Sequence, residues 1–355
     1  MTRREKNDTK RNNAMRIASI IAISVFILSV IILGIYIYSM LNRMKYNPEE
    51  EIPVVTETPE PLPTYAEPTP TMEPTPTPDL TPKSNEEYGV INIMIFGVDN
   101  RYKNSYSGRS DVNIVLTLDT VNKEVRMTSI LRDTLIYLPA QQDYNRINAA
   151  IVYEEGPDGA VAAIEDAFRI DIDHYMITSF RKVAKIIDAV GGVNVYLTQN
   201  ETWALNGLLQ EMNLLYGYAR EKDMLSATGN VHLTGLQAVA YMRIRHIDSD
   251  NERANRQMEV FKNMKERLKD ADLKAFNNLM DTVTSNVKTD MEPLKLLEVA
   301  KVLYDLRNGG FRTAQAPFEG YYEQTYYHDM SVFKVNSEKT NELLHNFIYE
   351  GIDPQ

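Results

Sequence analysis

Cysteine is absent from the 355 residues. That excludes a disulfide scaffold, a thiolate nucleophile, an iron–sulfur cluster and any cysteine zinc site. The five histidines (His174, His232, His246, His328 and His345) include no i,i+4 pair and lack metal-ligand spacing. A nucleophile elbow, a Walker loop and a dinucleotide fingerprint are also missing. Positive charge is in deficit: 38 Lys and Arg face 49 Asp and Glu, a net −11, which argues against a nucleic-acid partner. The single tryptophan, Trp203, sits in a Leu- and Tyr-rich stretch and reads as packing or a loop anchor rather than a sugar platform. No internal repeat is present. With 43% hydrophobic residues the chain can bury a core, and its length fits two domains or one larger α/β domain with appendages.

What is present is unevenly distributed. No charged residue occurs from Ile17 to Asn42. The apolar stretch 17–40 would make roughly 36 Å of helix at ~1.5 Å per residue, enough to cross a ~30 Å hydrocarbon layer with some tilt. A cleavable signal peptide would end in small residues, whereas this run exits through Tyr36, Tyr38 and Met40. An uncleaved anchor is therefore expected, with the tyrosines at the interface. Arg3, Arg4, Lys6, Lys10, Arg11 and Arg16 precede it, and Glu49, Glu50 and Glu51 soon follow. The positive-inside bias then places residues 1–16 as a cytoplasmic tail and everything beyond the span outside the cell membrane. A cysteine-free exported chain is ordinary on a Gram-positive surface.

Residues 41–86 read as an extracellular linker rich in Pro, Thr and Glu. Eleven of the 16 prolines lie between Pro48 and Pro82. Alternating Pro and Thr cannot build a core and favours extended polyproline II. This segment reads equally as a semi-rigid spacer or as a solvated tether whose length matters little.

Beyond Tyr88 the pattern is that of an α/β domain. The runs 90–97, 111–118 and 124–131 read as strands, with a turn at 119–123 between the last two. Helices are expected at 159–168 and 180–190, the second ended by Gly191-Gly192, and a strand at 193–196. Strands alternating with helices indicate a sheet packed by helices on its faces. After Leu273 the pattern becomes mainly helical, ending in a helix near 337–349.

Arginine, usually with aspartate, recurs at the ends of these elements: Asp99-Asn-Arg101, Arg109-Ser-Asp111, Arg132-Asp133, Arg243-Ile-Arg245 and Arg253-Ala-Asn-Arg256-Gln257. Read as a strand, Tyr241–Arg245 puts both guanidinium groups on one face, with Met242 and Ile244 buried on the other. Ser249-x-x-Glu252 is a capping-box pattern opening a helix with Met258, Phe261, Met264 and Leu268 on its apolar side. Arg253 and Arg256 then share a face near that helix N-terminus, where cations oppose the dipole unless an anion is bound. Arginine forks match phosphate oxygens bidentately. Pairing of the strands before Asp99 and after Asp111 could bring two carboxylates together, an arrangement suited to Mg²⁺. Any one of these motifs taken alone reads better as a surface ion pair, and it is the clustering of all five at element ends that raises a phosphate site to an equal reading.

Together with Arg146-Ile-Asn-Ala-Ala, Asp188-Ala-Val-Gly-Gly-Val and Gly235-Leu-Gln-Ala-Val-Ala-Tyr-Met-Arg-Ile-Arg, these motifs, in order over roughly 88–270, resemble the LytR–CpsA–Psr family. Departures are modest: Leu131 stands where the family usually has proline, Arg146 where lysine is frequent, and Val112 where threonine is common. Asn251-Glu252 replaces a common Phe-Gly, which leaves the role of Arg253 open.

The resemblance implies an α/β fold with a central mixed β-sheet flanked by helices. It divides the chain into a catalytic core, 87–270, and a mainly helical C-terminal extension, 271–355, packed on that core. It implies a phosphotransferase that moves a glycopolymer from an undecaprenyl-pyrophosphate carrier to peptidoglycan, releasing undecaprenyl phosphate. By similarity Asp99 and Asp111 would hold Mg²⁺. Arg109, Arg132, Arg243, Arg245, Arg253, Arg256 and Gln257 would bind the pyrophosphate. Arg132 and Asp133 would be catalytic, Asp133 as a candidate base or as an orienter of an arginine. The family's polyprenyl chain lies in an apolar tunnel between sheet and helices, which would employ apolar faces such as those in 164–168 and 186–190. A lipid-pyrophosphate hydrolase, or a non-enzymatic envelope regulator or wall-binding protein, stays open on sequence. The glycopolymer's identity and the oligomeric state are not legible.

Overall fold

The computed structural model describes residues 85–98, 108–245, 247 and 250–354. The expected span at 17–40, the stalk up to 84, Asp99 and the helix-opening Ser249 lie outside the described residues. Among those described, no helix is long and apolar enough to cross a membrane.

A helical turn at Asn85–Tyr88 leads into strand β1 (Val90–Val98). Asn85 is already part of the fold: its side-chain amide donates to the Asp171 carbonyl and the Asp173 carboxylate, at 3.0 and 2.8 Å. Strands β2 (Ser110–Asp119) and β3 (Glu124–Ile130) follow as an antiparallel pair. Their turn is local chemistry: Asp119 Oδ1 accepts the N–H groups of Val121 and Asn122, at 2.9 and 2.7 Å. A second hairpin, β4 (Leu135–Leu138) and β5 (Asp143–Arg146), precedes α1 (Pro157–Phe168), which starts on proline, a residue suited to that position. Next come β6 (His174–Ser179), α2 (Phe180–Ala189), β7 (Val193–Leu197), α3 (Gln199–Leu215), β8 (Gly229–Leu233), α4 (Gly235–Met242) and α5 (Asp250–Lys269). The rest comprises α6 (Leu273–Asn286), β9 (Lys288–Thr289), α7 (Pro293–Asp305), β10 (Gly310–Ala316), β11 (Tyr322–Tyr327), β12 (Met330–Val335) and α8 (Ser337–His345).

The central sheet is mixed, six strands in the order β10-β3-β2-β1-β6-β9. β1 pairs antiparallel with β2 and parallel with β6, while β10 joins β3 in parallel. On one face Met94, Phe96, Val98 and Val115 pack with Ile164 and Phe168 of α1 and with Leu344 and Phe347 near the C-terminus. On the other, Ile114 and Met127 meet Met258 of α5, with Ile95 and Phe261 alongside. The sheet is therefore a filling between helical layers, the arrangement that buries both faces of an apolar run such as β1.

Several local expectations change. The strand at 193–196 exists but stays out of the central sheet, pairing with β8 as a separate antiparallel ribbon. Its burial alternates, so Val193, Val195 and Leu197 join a second core with Leu205, Leu209 and Val239 while the other face is solvated. Tyr241–Arg245 is not a strand; α4 runs to Met242 and Arg243 caps it. Residues 271–355 are not only helical, since β10 is an edge strand of the central sheet. Trp203 projects from α3 with 67% of its surface exposed, so it is no packing residue. Ile164, Phe168 and Ile187 are core side chains. At the end of α2, Gly191 and Gly192 take φ of +83° and +74° and close the helix onto the carbonyls of Asp188 and Ile187.

Candidate active site

The site forms where strands end. β2 and β3 pair Ile114 with Ser129, and continuing that register sets Asp111 opposite Arg132. The side chains meet there, Arg132 Nη1 to Asp111 Oδ1 at 2.9 Å. The turn carrying Arg132 is pinned by backbone: Leu131 N–H donates to Ala316, Thr134 N–H to Leu131, and Phe333 N–H to Asp133. Arg132 and Asp133 are thereby tied to β10 and β12, more than 180 positions away in the chain.

Two more arginines reach the same carboxylate. Arg245, three residues past the end of α4, brings Nη2 to 3.2 Å from Asp111 Oδ2. Arg253, in the first turns of α5, places Nη2 at 3.5 Å from that oxygen and is only 5% exposed. A carboxylate chain continues the cluster: Arg132 Nε lies 3.5 Å from Asp133 Oδ2, and Arg146 Nε lies 3.3 Å from Asp133 Oδ1. Arg146 is itself fixed on the Ser331 carbonyl at 2.7 Å. Among the described residues four guanidinium groups thus meet two carboxylates, and Arg132 and Arg253 line a cleft with Asp111, Asp133, Gln257 and Phe333. Burial alone would raise the Asp111 carboxyl; the charges of Arg253, Arg245 and Arg132 outweigh it and hold the group below the ordinary aspartate value.

The remaining expected residues are placed differently. Arg243 and Arg245 diverge: as the C-cap of α4, Arg243 suits the negative end of the helix dipole, and its guanidinium lies 4.7 Å from the Phe180 ring centre. Arg253 and Arg256 are both buried but take different partners. Arg256 Nε pairs with Glu201 Oε1 at 3.1 Å, and its guanidinium lies 5.9 Å from the Tyr241 ring. Arg109 stands exposed one residue before β2, and among the described residues no contact joins it to the cluster. Asp99 is outside the described residues. No group of three His, Asp or Glu side chains able to hold a metal occurs among those described.

Two residues outside the expected set organise the site. Glu201 uses Oε2 to cap α3 through Thr198 and Oε1 to hold Arg256. Its sequence signal, Thr198-x-x-Glu201, announces the helix start but not a partner 55 positions on. Asp188 accepts the Gly235 N–H at 2.6 Å at the start of α4, the helix that delivers Arg243 and Arg245.

The chain is similar to known proteins in sequence and in fold. The LytR_cpsA_psr family model matches residues 64–347. The chain belongs to the LytR–CpsA–Psr family. An uncharacterized protein of Staphylococcus aureus is 26% identical over 240 residues, covering 66% of this chain; the aligned stretch spans 56% of that relative's length. A Bacillus anthracis protein named polyisoprenyl-teichoic acid–peptidoglycan teichoic acid transferase TagU is 28% identical over 235 residues, 65% of this chain and 70% of that one. Among solved structures, TagT bound to LIIa-WTA superposes with a TM-score of 0.58 at 23% identity, covering 78% of this chain and 96% of that one. Bacillus subtilis TagV gives 0.57 at 23% identity over 74% and 98%. These superpositions establish a shared fold, the mixed sheet flanked by helices described above.

Proposed function

We propose that this chain is a membrane-anchored phosphotransferase that attaches a polyprenyl-pyrophosphate-linked glycopolymer, of teichoic acid or capsule type, to peptidoglycan. The observation that carries the reading is the convergence of Arg132, Arg245 and Arg253 on Asp111, extended through Asp133 to Arg146. Four guanidinium groups gathered on two carboxylates at element ends suit a polyanion such as a diphosphate, because arginine forks match phosphate oxygens. Family membership and the TagU relative support glycopolymer transfer as the use of that cleft.

In this reading the arginines take the pyrophosphate oxygens. A hydroxyl of the wall sugar attacks the phosphorus nearer the glycan. Its proton passes to the Asp133 carboxylate, the new P–O bond forms, and the bond to the lipid-side phosphate breaks. Polyprenyl monophosphate leaves, undecaprenyl phosphate where the carrier is undecaprenyl, and the glycan is joined to the wall by a phosphodiester.

The donor set suits Mg²⁺ in one respect: Asp111 is a hard, ionised oxygen donor. Both its oxygens also face guanidinium groups, so the ion would share this carboxylate with those arginines. Asp111 and Asp99 would then hold the ion, which when bound supplies charge neutralisation on the phosphates. The basic flank before the apolar run at 17–40 supports a cytoplasmic N-terminus and an extracellular catalytic domain.

The test uses the full-length chain in detergent micelles with a polyprenyl-pyrophosphate glycan and peptidoglycan fragments, with and without Mg²⁺. Mass spectrometry should find a glycan joined to the fragment by a phosphodiester, lost in Arg132→Ala. Free glycan phosphate without adduct would make the chain a hydrolase, and intact donor would overturn the enzymatic reading.

A further inference from the structure

The hairpin β4–β5 has one buried side and one open side. Ile136 and Leu138 point into the core at 3% and 0% exposure. Across the register Leu135 faces Arg146 and Tyr137 faces Tyr144, so these four share the outer face. Tyr137 and Tyr144 are 42% and 50% exposed. Their ring centres lie 5.4 Å apart at 70°, and Tyr144 meets Tyr327 of β11 at 6.2 Å and 73°. His328 meets Tyr327 edge-on, with ring centres 4.3 Å apart at 66°. The edge of this row is polar: Tyr327 donates its hydroxyl hydrogen to Asp143, and His328 Nε2 lies 3.2 Å from the same carboxylate.

We propose that this tyrosine row, Tyr137–Tyr144–Tyr327 with the Asp143–His328 edge, is the platform on which the acceptor glycan lies. The proposal rests on the transferase reading above and names where its second substrate binds. Aromatic faces beside a carboxylate and an imidazole match a saccharide, whose C–H faces pack on rings and whose hydroxyls need donors and acceptors. The position selects the acceptor over the donor. Tyr144 is two residues from Arg146 on the same strand face, a distance of ~7 Å, and Arg146 is ion-paired with Asp133. A glycan on the row therefore delivers a hydroxyl to Asp133, the proton acceptor of the reaction. Arg245 and Arg253 meet Arg132 at the other carboxylate, Asp111, where the proposed reading puts the donor's diphosphate. Cross-strand tyrosines also stabilise hairpins, so the test must separate binding from folding.

The experiment compares the full-length chain with Tyr144→Leu, Tyr137→Leu/Tyr144→Leu and Tyr144→Phe, using peptidoglycan fragments as acceptor and a polyprenyl-pyrophosphate glycan as donor. The double variant should raise KM for the fragments at least tenfold, with donor KM and kcat at saturating fragment within twofold of the parent. Tyr144→Phe, which keeps the ring, should stay near the parent. Titration of tyrosine fluorescence with fragments alone should show binding in the parent that weakens by the same factor in the double variant. An unchanged fragment KM in a transferring enzyme, or a rise in donor KM instead, overturns the platform. If the parent transfers nothing, the transferase reading fails, and the titration still decides whether the row binds glycan.

Discussion

Arg132 Nη1 stands 2.9 Å from Asp111 and its Nε lies 3.5 Å from Asp133, so one guanidinium sits between two carboxylates at the end of β3. A lysine could satisfy one of them. Arg132→Lys should therefore fold normally yet lose the two-point grip on a diphosphate. Transfer should fall about 100-fold, the scale of one lost transition-state donor. Adduct yield by mass spectrometry, together with an unchanged Tm, checks this; activity within threefold of the parent would remove Arg132 from the clamp.

In the proposed reading Asp111 competes with the diphosphate for the arginines it now holds. Asp111→Asn leaves Arg253, 5% exposed, beside a neutral amide. Breaking such a pair should destabilise the protein by about 3 kcal/mol. Inorganic pyrophosphate should restore much of that, so its stabilising effect on Tm should be larger in the variant than in the parent. Equal shifts would mean that the anion binds elsewhere.

The same carboxylate sets an acid limit. Burial pushes the Asp111 carboxyl up, but Arg253, Arg245 and Arg132 more than reverse this, so its folded pKa lies below the unfolded value of about 3.9. A depressed acid contributes fully above the unfolded pKa and loses that contribution as pH falls through the folded one. Stability measured from pH 6 to pH 2 should fall less steeply in Asp111→Asn than in the parent. Parallel curves would show that Asp111 is not ionised in this network.

How far the site was legible follows from these residues. The Asp111–Arg132 contact is local in the hairpin sense: two adjacent strands and a turn announced by Asp119 fix it. Arg245 was misplaced because Met-Arg-Ile-Arg alternates like a strand. Thr234-x-x-Gln237 upstream forms a capping box, making those residues the end of a helix. Arg253 and Arg256, three apart and so ~60° around the helix, are neighbours on it, and yet their long side chains end on different carboxylates, Asp111 and Glu201, which the spacing does not encode. Residues 310–316 gave no strand signal of their own. Their place beside β3 depends on a partner 186 positions earlier, which no local period can encode.

Gly235 joins α4 to α2. A Cβ there would sit 1.8 Å from the Ala184 carbonyl oxygen, while its N–H is held by Asp188. Gly235→Ala should destabilise by about 3 kcal/mol through overpacking and shift Arg243 and Arg245 with the helix. Its signature is a lowered Tm with a disproportionate loss of transfer at temperatures where the variant is still folded. A variant as stable as the parent would contradict the close approach.

Arg126 gives the strongest reason to treat the described residues from 85 onward as one folding unit. It has no exposed surface, pairs with Asp119 at 2.7 Å and with Glu124, and donates to the Ile348 carbonyl 222 positions later. Arg312 of β10 binds the same Glu124 and the Gly351 carbonyl. A chain stopped at residue 270 loses β10, exposing the edge of β3, and leaves Arg126 without one of its acceptors. It should not fold: far-ultraviolet dichroism should show no cooperative melt, whereas a chain of 85–355 should give a single transition. Arg126→Met in the full chain tests the buried charge separately. It removes the cation from Asp119, which is 1% exposed and keeps only its turn hydrogen bonds, and should cost about 3 kcal/mol. A cooperative melt from the fragment ending at 270 would show that the sheet closes without β10 and would make the C-terminal third an accessory.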